Sequence, residues 1–490
     1  MDGHAQAAYE ATDHERHGPL PVGLKAVHVG TPYGHAVHAQ VEQASAAAVF
    51  ILANASLARH AEELAKQLRK RHHGLVCRCC FSVKMGGGDG GVLAACDAAA
   101  QLGADCVVSM GGGAVQDAAK IVRLWMATEN PTLSAASTGA LVRAVKQPLH
   151  PLAPQIALPS VFAVAELTAM AGMSSVDGRK VSLRHPAMMP TVVVFDPQLT
   201  RDCPDWLLFG TALRSVDHCI EAATSSRASD ATRTLALKGL QLVSRGLHSM
   251  LHDNRDSVTA QTDVYCGGWN GIMAMLNVGY AAGHFLENQF SAFFHVHQGA
   301  CSALLMAKML AYHSQQTLQY QHQIQAVLAP HWAPNTHYSG SSGTSGGSTA
   351  AAMMVQRLVD AVADRAGIAQ SFADVRTVEG ADGITHQDIK RFATAVFEEH
   401  GPTLNELCPR AISGPQELNK LLLLDLRSGS GGGGTTFGAG QHPHRAMSRT
   451  DHLLHCLTPR IASSCSSLML PTFTETTCLN GGQRYQPTLL

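Results

Sequence analysis

The sequence predicts an α/β domain built on a Rossmann-like parallel sheet, followed by an all-α domain. Three observations predict it. Strand signals in the first half alternate with helical ones, as a parallel sheet with helices on both faces requires. Residues Gly103 to Lys120 read as a buried strand, a three-glycine turn and the start of a helix. After Pro197 the strand signals stop and helical segments follow one another as far as Glu399.

In chain order, Ala48–Ala53 is an apolar strand, Ala55–Arg71 an amphipathic helix, Gly86–Gly91 a glycine-rich loop and Val92–Leu102 an alanine-rich helix. Cys106–Met110 is a continuous apolar run, which suits a strand covered on both faces. Gly111, Gly112 and Gly113 lack a Cβ and reach positive φ, so helix N-terminal amides there can approach a pyrophosphate; a plain βα turn is the structural alternative. The turn is neither a Gly-x-Gly-x-x-Gly fingerprint, since Gln116 stands where the third glycine belongs, nor a Walker loop, since no Gly-Lys-Ser/Thr follows. Asp117 and Lys120, three apart, share one helix face. Helices are then expected over Trp206–Ser225, Ala231–Leu251, Val264–Asn288, Cys301–Ala311, Leu318–Ala329, Ala350–Ala366 and Gln387–Glu399. The boundaries that follow are a partly ordered extension over 1–44 that joins the first sheet, the α/β domain over 45–199 and the helical domain over 200–426. A flexible Gly/Ser-rich insertion at 335–349 interrupts the helical domain, and 427–490 reads as a disordered tail.

Net charge is −1 with 15% charged residues, so there is no basic footprint for nucleic acid. No run approaches the ~18 apolar residues of a membrane span, and no secretory leader is evident. The 13 cysteines are odd in number and scattered, which points to free thiols in a cytosolic, reducing compartment. Cys77, Cys79 and Cys80 lie close together but lack a second ligand pair at zinc spacing.

The string Gly-Gly-Gly-x-x-x-Asp-x-x-Lys at 111–120 resembles the nucleotide-binding segment of the iron-containing (group III) alcohol dehydrogenase family. Gln155–Thr168 is similar to that family's Pro-Thr-Thr-x-x-x-x-Ser-Glu-x-Thr stretch, matching at Pro159, Glu166 and Thr168, with Ser160 for a threonine. Lys180, Pro190 and Val192–Pro197 resemble its next strand and Asp-Pro turn, and Leu213–Ala222 and Gly279–Gly299 its metal-ligand regions. The order holds from about residue 45 to about residue 425. The resemblance implies a dehydroquinate synthase-like architecture with the active cleft between the two domains. It also implies NAD or NADP held by Asn54, Gly111, Gly112, Gly113, Asp117, Lys120, Ser160 and Lys180. Asn54 stands where NAD-preferring relatives carry an acid; a neutral amide does not repel a 2′-phosphate, so both cofactors stay open. The partner is a small-molecule substrate, without nucleic acid or membrane, and a homodimer is left open.

The metal half departs from the family, which holds a divalent ion by an aspartate, a histidine four residues on, and two further histidines. Four before His218 stands Arg214. Asp217 is not expected to replace the aspartate, because adjacent helical residues diverge by roughly 100°. Of two family histidines four apart, the first is matched to Tyr280 and the second to His284; His295 or His297, before Gln298-Gly299, takes the last place. An arginine within ~4 Å of a divalent ion repels it by several kcal/mol. The expectation is therefore no iron or zinc, with Arg214 supplying the charge that polarises a substrate oxygen, as in family members of the maleylacetate reductase type. The degenerate set His218, His284 and His297 is the metal-binding alternative. His218 and His284 are the proton-transfer candidates among 27 histidines, and Tyr280 is a phenolic donor candidate. The structural alternative for Arg214 is a pairing with Asp217 or Glu221 on an exposed face. The function expected is NAD(P)-dependent hydride transfer to a carbonyl, an oxo-acid above all. The rivals are a metal-dependent alcohol dehydrogenase and a non-catalytic nucleotide-binding pseudoenzyme; a synthase of the dehydroquinate type is weaker, since it needs the metal cluster.

Overall fold

The computed structural model describes residues 16–84, 90–127, 152–174, 180–333, 349–375 and 383–427. The expected tail beyond Arg427 and nearly all of the insertion lie outside the described residues, as does Gly86–Asp89 of the glycine-rich loop.

The first half is a six-stranded, wholly parallel sheet in the order β1-β8-β5-β4-β2-β3. Its strands are β1 (Ala26–Val29), β2 (Ala48–Ala53), β3 (Val76–Cys80), β4 (Cys106–Gly111), β5 (Gln155–Pro159) and β8 (Val192–Phe195). The segment assigned to the extension supplies both β1, which pairs with β8, and helix α1 (Tyr33–Gln43). Before them the chain lies on the helical half, where Trp269 Nε1 donates to Pro19 O at 3.0 Å and Asn270 Nδ2 to Arg16 O at 2.9 Å.

The residue pattern explains the two-sided cover. On β2, Val49, Ile51 and Ala53 pack with Ala61, Leu64, Ala65 and Leu68 of α2 (Ala58–Arg71) on one face. Phe50 and Leu52 pack with Ala95 and Ala99 of α3 (Gly90–Leu102) and Val115 and Ile121 of α4 (Gly113–Met126) on the other. Cys77, Cys79 and Cys80 lie along β3 as free thiols, and burial pushes Cys77 up and Cys79 to about 11. A two-stranded antiparallel ribbon, β6 (Met170–Ser174) with β7 (Lys180–Arg184), lies beside α4.

After Pro197 the described chain is helical: α5 (Asp205–Thr224), α6 (Asp230–His252), α7 (Val258–Val278), α8 (Ala282–Phe294), α9 (Gln298–Tyr312), α10 (Leu318–Trp332), α11 (Ala350–Ala366), α12 (His386–Leu407) and α13 (Pro415–Leu422). The single helix expected over Val264–Asn288 is two. Gly279, at φ 75°, ends α7, and Ala281 starts α8 from an extended conformation. Helices α6 and α7 touch backbone to backbone: a Cβ on Gly239 would lie 2.8 Å from Gly267 O, and one on Gly267 2.7 Å from Gly239 O. None of the described helices is long and apolar enough to cross a membrane.

Candidate active site

The strand order reverses at β2. The chain goes from β2 outward to β3, then returns to β4 on the other side of β2 and moves on to β5. Such a switch point opens a crevice at the carboxyl ends of the two strands, where ligands bind in doubly wound sheets. Asn54 follows β2 and Gly111 closes β4, so both stand at that crevice. The Gly112 amide donates to Asn54 Oδ1 at 3.0 Å, and a Cβ on Gly111 would sit 2.2 Å from the same oxygen, so no larger residue fits there. Gln116 is fully buried; it accepts from Ser109 Oγ at 2.6 Å and donates to Gly111 O at 3.0 Å. It braces the turn from below, at the position a third fingerprint glycine would take. The first amides of α4 have no acceptor within the helix, and Ala114 at its start is exposed. Ser160 joins the turn through its amide, which donates to Gly111 O at 3.2 Å.

Lys120 does not face this crevice. It is fully buried, and its ammonium donates to Met170 O at 2.6 Å, to Ala165 O at 2.8 Å and, at 3.4 Å, to Thr168 Oγ1 and Asp117 Oδ1. With its donors spent on these groups, it ties α4 to β6 and cannot reach a phosphate. Asp117 holds the same ribbon, accepting from the Gly172 amide at 3.0 Å. In this arrangement both residues brace the ribbon against α4. Lys180 opens β7; its side chain lies outside the described residues.

The second cluster grows from α5. Arg214 is only 7% exposed, which overturns pairing on an exposed face. Its guanidinium is ion-paired with Glu287 of α8, contacts Ser302 of α9 at 3.5 Å, and reaches His284 Nε2 at 2.9 Å and Asn288 Oδ1 at 3.4 Å. Asp217 comes closer than helix geometry led us to expect: its Oδ2 is 3.9 Å from Arg214 Nη1 and 4.0 Å from His284 Nδ1. His218 lies behind, its ring centre 5.5 Å from that of His284. Burial first, then Arg214, pushes both histidines well below their ordinary range, so they are neutral. Burial raises the acids instead, Asp217 to about 6 and Glu221 to about 8. It also lifts the Glu287 carboxyl, with Asp217 adding to the rise and Arg214 opposing it.

Tyr280, 37% exposed, stands in the break between α7 and α8 and stacks on His284 with ring centres 4.2 Å apart. Burial raises its phenol, while Arg214 and Arg184 draw it down. His297 caps α9, its Nδ1 accepting from the Gly299 amide at 3.1 Å, and lies edge-on to Trp206. Burial and Arg214 push it to about 4. His295 is the left-handed C-cap of α8 at φ 51°. Among the described residues, the trio whose ligand atoms come within 4.8 Å of one another is Asp217, Glu221 and His284, not His218, His284 and His297.

Sequence reasoning missed Glu287, Asn288, Ser302 and Gln298, whose Nε2 donates to Asn288 Oδ1 at 2.8 Å. A signal was available for two of them. His284 and Asn288 are the pair four apart on one helix face, and Gln298 directly precedes Gly299.

Two family models cover most of this ground: iron-containing alcohol dehydrogenase over residues 26–197, and the C-terminal part of the Fe-containing alcohol dehydrogenase family over residues 210–412. The chain belongs to the iron-containing alcohol dehydrogenase family. It is 30% identical over 183 residues to maleylacetate reductase 1 of Rhodococcus opacus, covering 37% of this chain and 44% of that protein. It is 28% identical over 222 residues to the "probable alcohol dehydrogenase EutG" of Escherichia coli strain K12, covering 44% of this chain and 54% of that one. The chain thus spans about half the length of the curated relatives it matches. The crystal structure of maleylacetate reductase from Rhizobium sp. strain MTP-10005 superposes with a TM-score of 0.63 at 20% identity, over 83% of this chain and 97% of that one, and so shares the fold.

The ligand set expected of the family, His218, His284 and His297, is not brought together among the described residues. Arginine only donates, so the 2.9 Å contact makes His284 Nε2 the acceptor and leaves the ring proton on Nδ1. Neither nitrogen then offers a lone pair to an ion. A dinucleotide does fit the switch point, where small residues leave the first turn of α4 open beside Asn54.

Proposed function

We propose that the chain is an NAD(P)-dependent oxidoreductase that reduces a carbonyl, an oxo-acid in the first instance, in the cleft between the two halves, with a guanidinium in place of the family metal. The observation that carries the reading is the contact of Arg214 with His284 Nε2 at 2.9 Å, a fixed cation among the residues of the family's metal region. A bound nicotinamide nucleotide supplies or accepts the hydride; Asn54, Gly112, Gly113 and Ser160 would hold it. Arg214, held by Glu287 and Ser302, donates N–H to the substrate oxygen and stabilises the charge that develops there. Two guanidiniums, Arg214 and Arg184, act on the Tyr280 phenol, and such a cationic edge suits a carboxylate-bearing substrate. Tyr280, part-exposed, protonates the oxygen and regains its proton from solvent water. His284 keeps its Nε2 on the arginine and a proton on Nδ1, which faces the buried Asp217 Oδ2 at 4.0 Å.

The test is fluorescence titration with NADH and NADPH, followed by turnover of oxo-acids and aldehydes with and without a chelator. Turnover that survives chelation and falls at least about a hundredfold in Arg214→Ala is expected. Activity lost on chelation and restored by iron or zinc would overturn the arginine's role. Tight nucleotide binding with no turnover would favour the pseudoenzyme.

A further inference from the structure

On α8, Asn288 follows His284 by about one helical turn and shares its face. Both present an acceptor to the same guanidinium nitrogen: Arg214 Nη2 lies 2.9 Å from His284 Nε2 and 3.4 Å from Asn288 Oδ1. Because a guanidinium only donates, the Asn288 amide must turn its oxygen toward Arg214. Gln298 enforces the same orientation, its Nε2 donating to Asn288 Oδ1 at 2.8 Å. That oxygen accepts twice, while no described residue accepts either N–H of Asn288 Nδ2. The guanidinium keeps an unspent donor as well. Its Nη1 serves Glu287 and Ser302 and its Nη2 serves His284 and Asn288, which leaves Nε–H without an acceptor among the described residues. Neither Asn288 Nδ2 nor Arg214 Nε is a buried donor stranded without a partner, so both open on solvent. Asn288 itself is half-buried, beside the exposed Gln298. Unspent donors held in place at a cation suit a carboxylate, whose two oxygens accept charge-assisted hydrogen bonds.

We propose that Asn288 is the substrate-carboxylate contact of the cleft: its Nδ2 N–H groups bind a carboxylate close to the carbonyl held by Arg214, which selects α- and β-oxo acids over aldehydes. Asn288 and the reacting oxygen share one guanidinium, so the two subsites adjoin and only a carboxylate near the carbonyl reaches both. The inference rests on the oxidoreductase reading for the carbonyl, whereas carboxylate binding is measured without turnover. The test is calorimetric titration of the full chain, with excess NADH or NADPH at about pH 8, with oxamate and malonamate, inert amide isosteres of an α- and a β-oxo acid. Beside it, kcat and KM are measured for pyruvate and for propanal. Asn288→Leu removes the donors; it should weaken the tighter probe about tenfold or more and lower the pyruvate-to-propanal ratio of kcat/KM by a similar factor, chiefly through KM. Asn288→Asp keeps an oxygen for Arg214 and Gln298 but sets a negative charge against the carboxylate, so it should bind the probe more weakly still. A residue that only holds Arg214 in place predicts the reverse, with binding recovered in the aspartate variant. Neither probe binding wild type at up to about 10 mM, or either variant binding as tightly as wild type, would overturn the proposal. Probe binding that depends on Asn288 in a chain that turns over no carbonyl would uphold the carboxylate site and overturn the oxidoreductase reading alone.

Discussion

Replacing Arg214 by methionine leaves Glu287 fully buried, with Ser302 Oγ at 2.8 Å but no counter-charge. Breaking a buried ion pair from one side costs about 3–5 kcal/mol, because the remaining charge keeps its desolvation penalty. Unfolding entropy of about 2.1 cal/mol/K per residue, over a chain of this length, turns ~4 kcal/mol into a fall of roughly 4 °C in thermal midpoint. The double variant Arg214→Met/Glu287→Leu removes both charges, and should recover most of that loss. The penalty also depends on pH. Burial already raises the Glu287 carboxyl, and losing the arginine raises it further, so folding of the single variant favours the protonated acid. The cost is therefore full at alkaline pH and shrinks as pH falls toward the unfolded value of about 4.5. Differential scanning calorimetry of wild type, both single variants and the double variant at pH 5.5 and 8 reads all of this. A methionine variant as stable as wild type at pH 8, or a double variant no better than the single, would refute the account of Arg214 as a buried, paired cation.

Other consequences follow from the same site and its surroundings. Lys120→Met strands the carbonyls of Ala165 and Met170 and should cost about 2–4 kcal/mol, while the nucleotide dissociation constant of the folded fraction stays within about threefold of wild type; a selective loss of nucleotide binding would return Lys120 to the cofactor site. Gly111→Ala drives a methyl onto Asn54 Oδ1 and should weaken NADH and NADPH binding alike, on the order of tenfold or more, by fluorescence titration. Stability should peak on the acid side of neutrality. The buried histidines 218, 284, 297 and 313 have lowered values, so stability drops as pH falls below about 6.5 and the unfolded chain takes up their protons. Asp217 at about 6, Glu166 at about 7 and Glu221 at about 8 keep protons that the unfolded chain gives up above about 4.5, so their stabilisation is lost as pH rises to 8. The two trends offset each other between about 4.5 and 6.5, and the acids alone act above; a midpoint that climbs steadily from pH 6 to 8 contradicts this.

The sheet and the glycine turn were legible because burial on both faces leaves an unbroken apolar run, as at Cys106–Met110, and because only glycine fits beside Asn54. Strand β1 was hidden: Ala26–Val29 is four residues long, includes His28, and lies on the sheet edge. The break at Gly279 was overlooked because apolar residues continue on both sides, so helical periodicity gives no signal there. That error put Tyr280 on a helix with His284, when the residue four along is Asn288. The motif located Lys120 and Asp117 but said nothing of the direction their side chains take, and four hydrogen bonds send the lysine inward. Arg214 was visible as a misplaced charge; its counter-ion Glu287 was not, since it lies 73 positions away in the chain.

The backbone contact between α6 and α7 bears on how this chain reaches its fold. The two helices are consecutive, so bringing Gly239 onto Gly267 closes only a short loop and costs little chain entropy. The sheet, by contrast, must join β1 to β8 across most of the first half, a pairing with a large sequence separation. The order of events this implies is a helical hairpin first and the outer strand last. The amides along the Gly239–Gly267 crossing would then resist hydrogen exchange until global unfolding, while those of β1 exchange through a smaller, local opening.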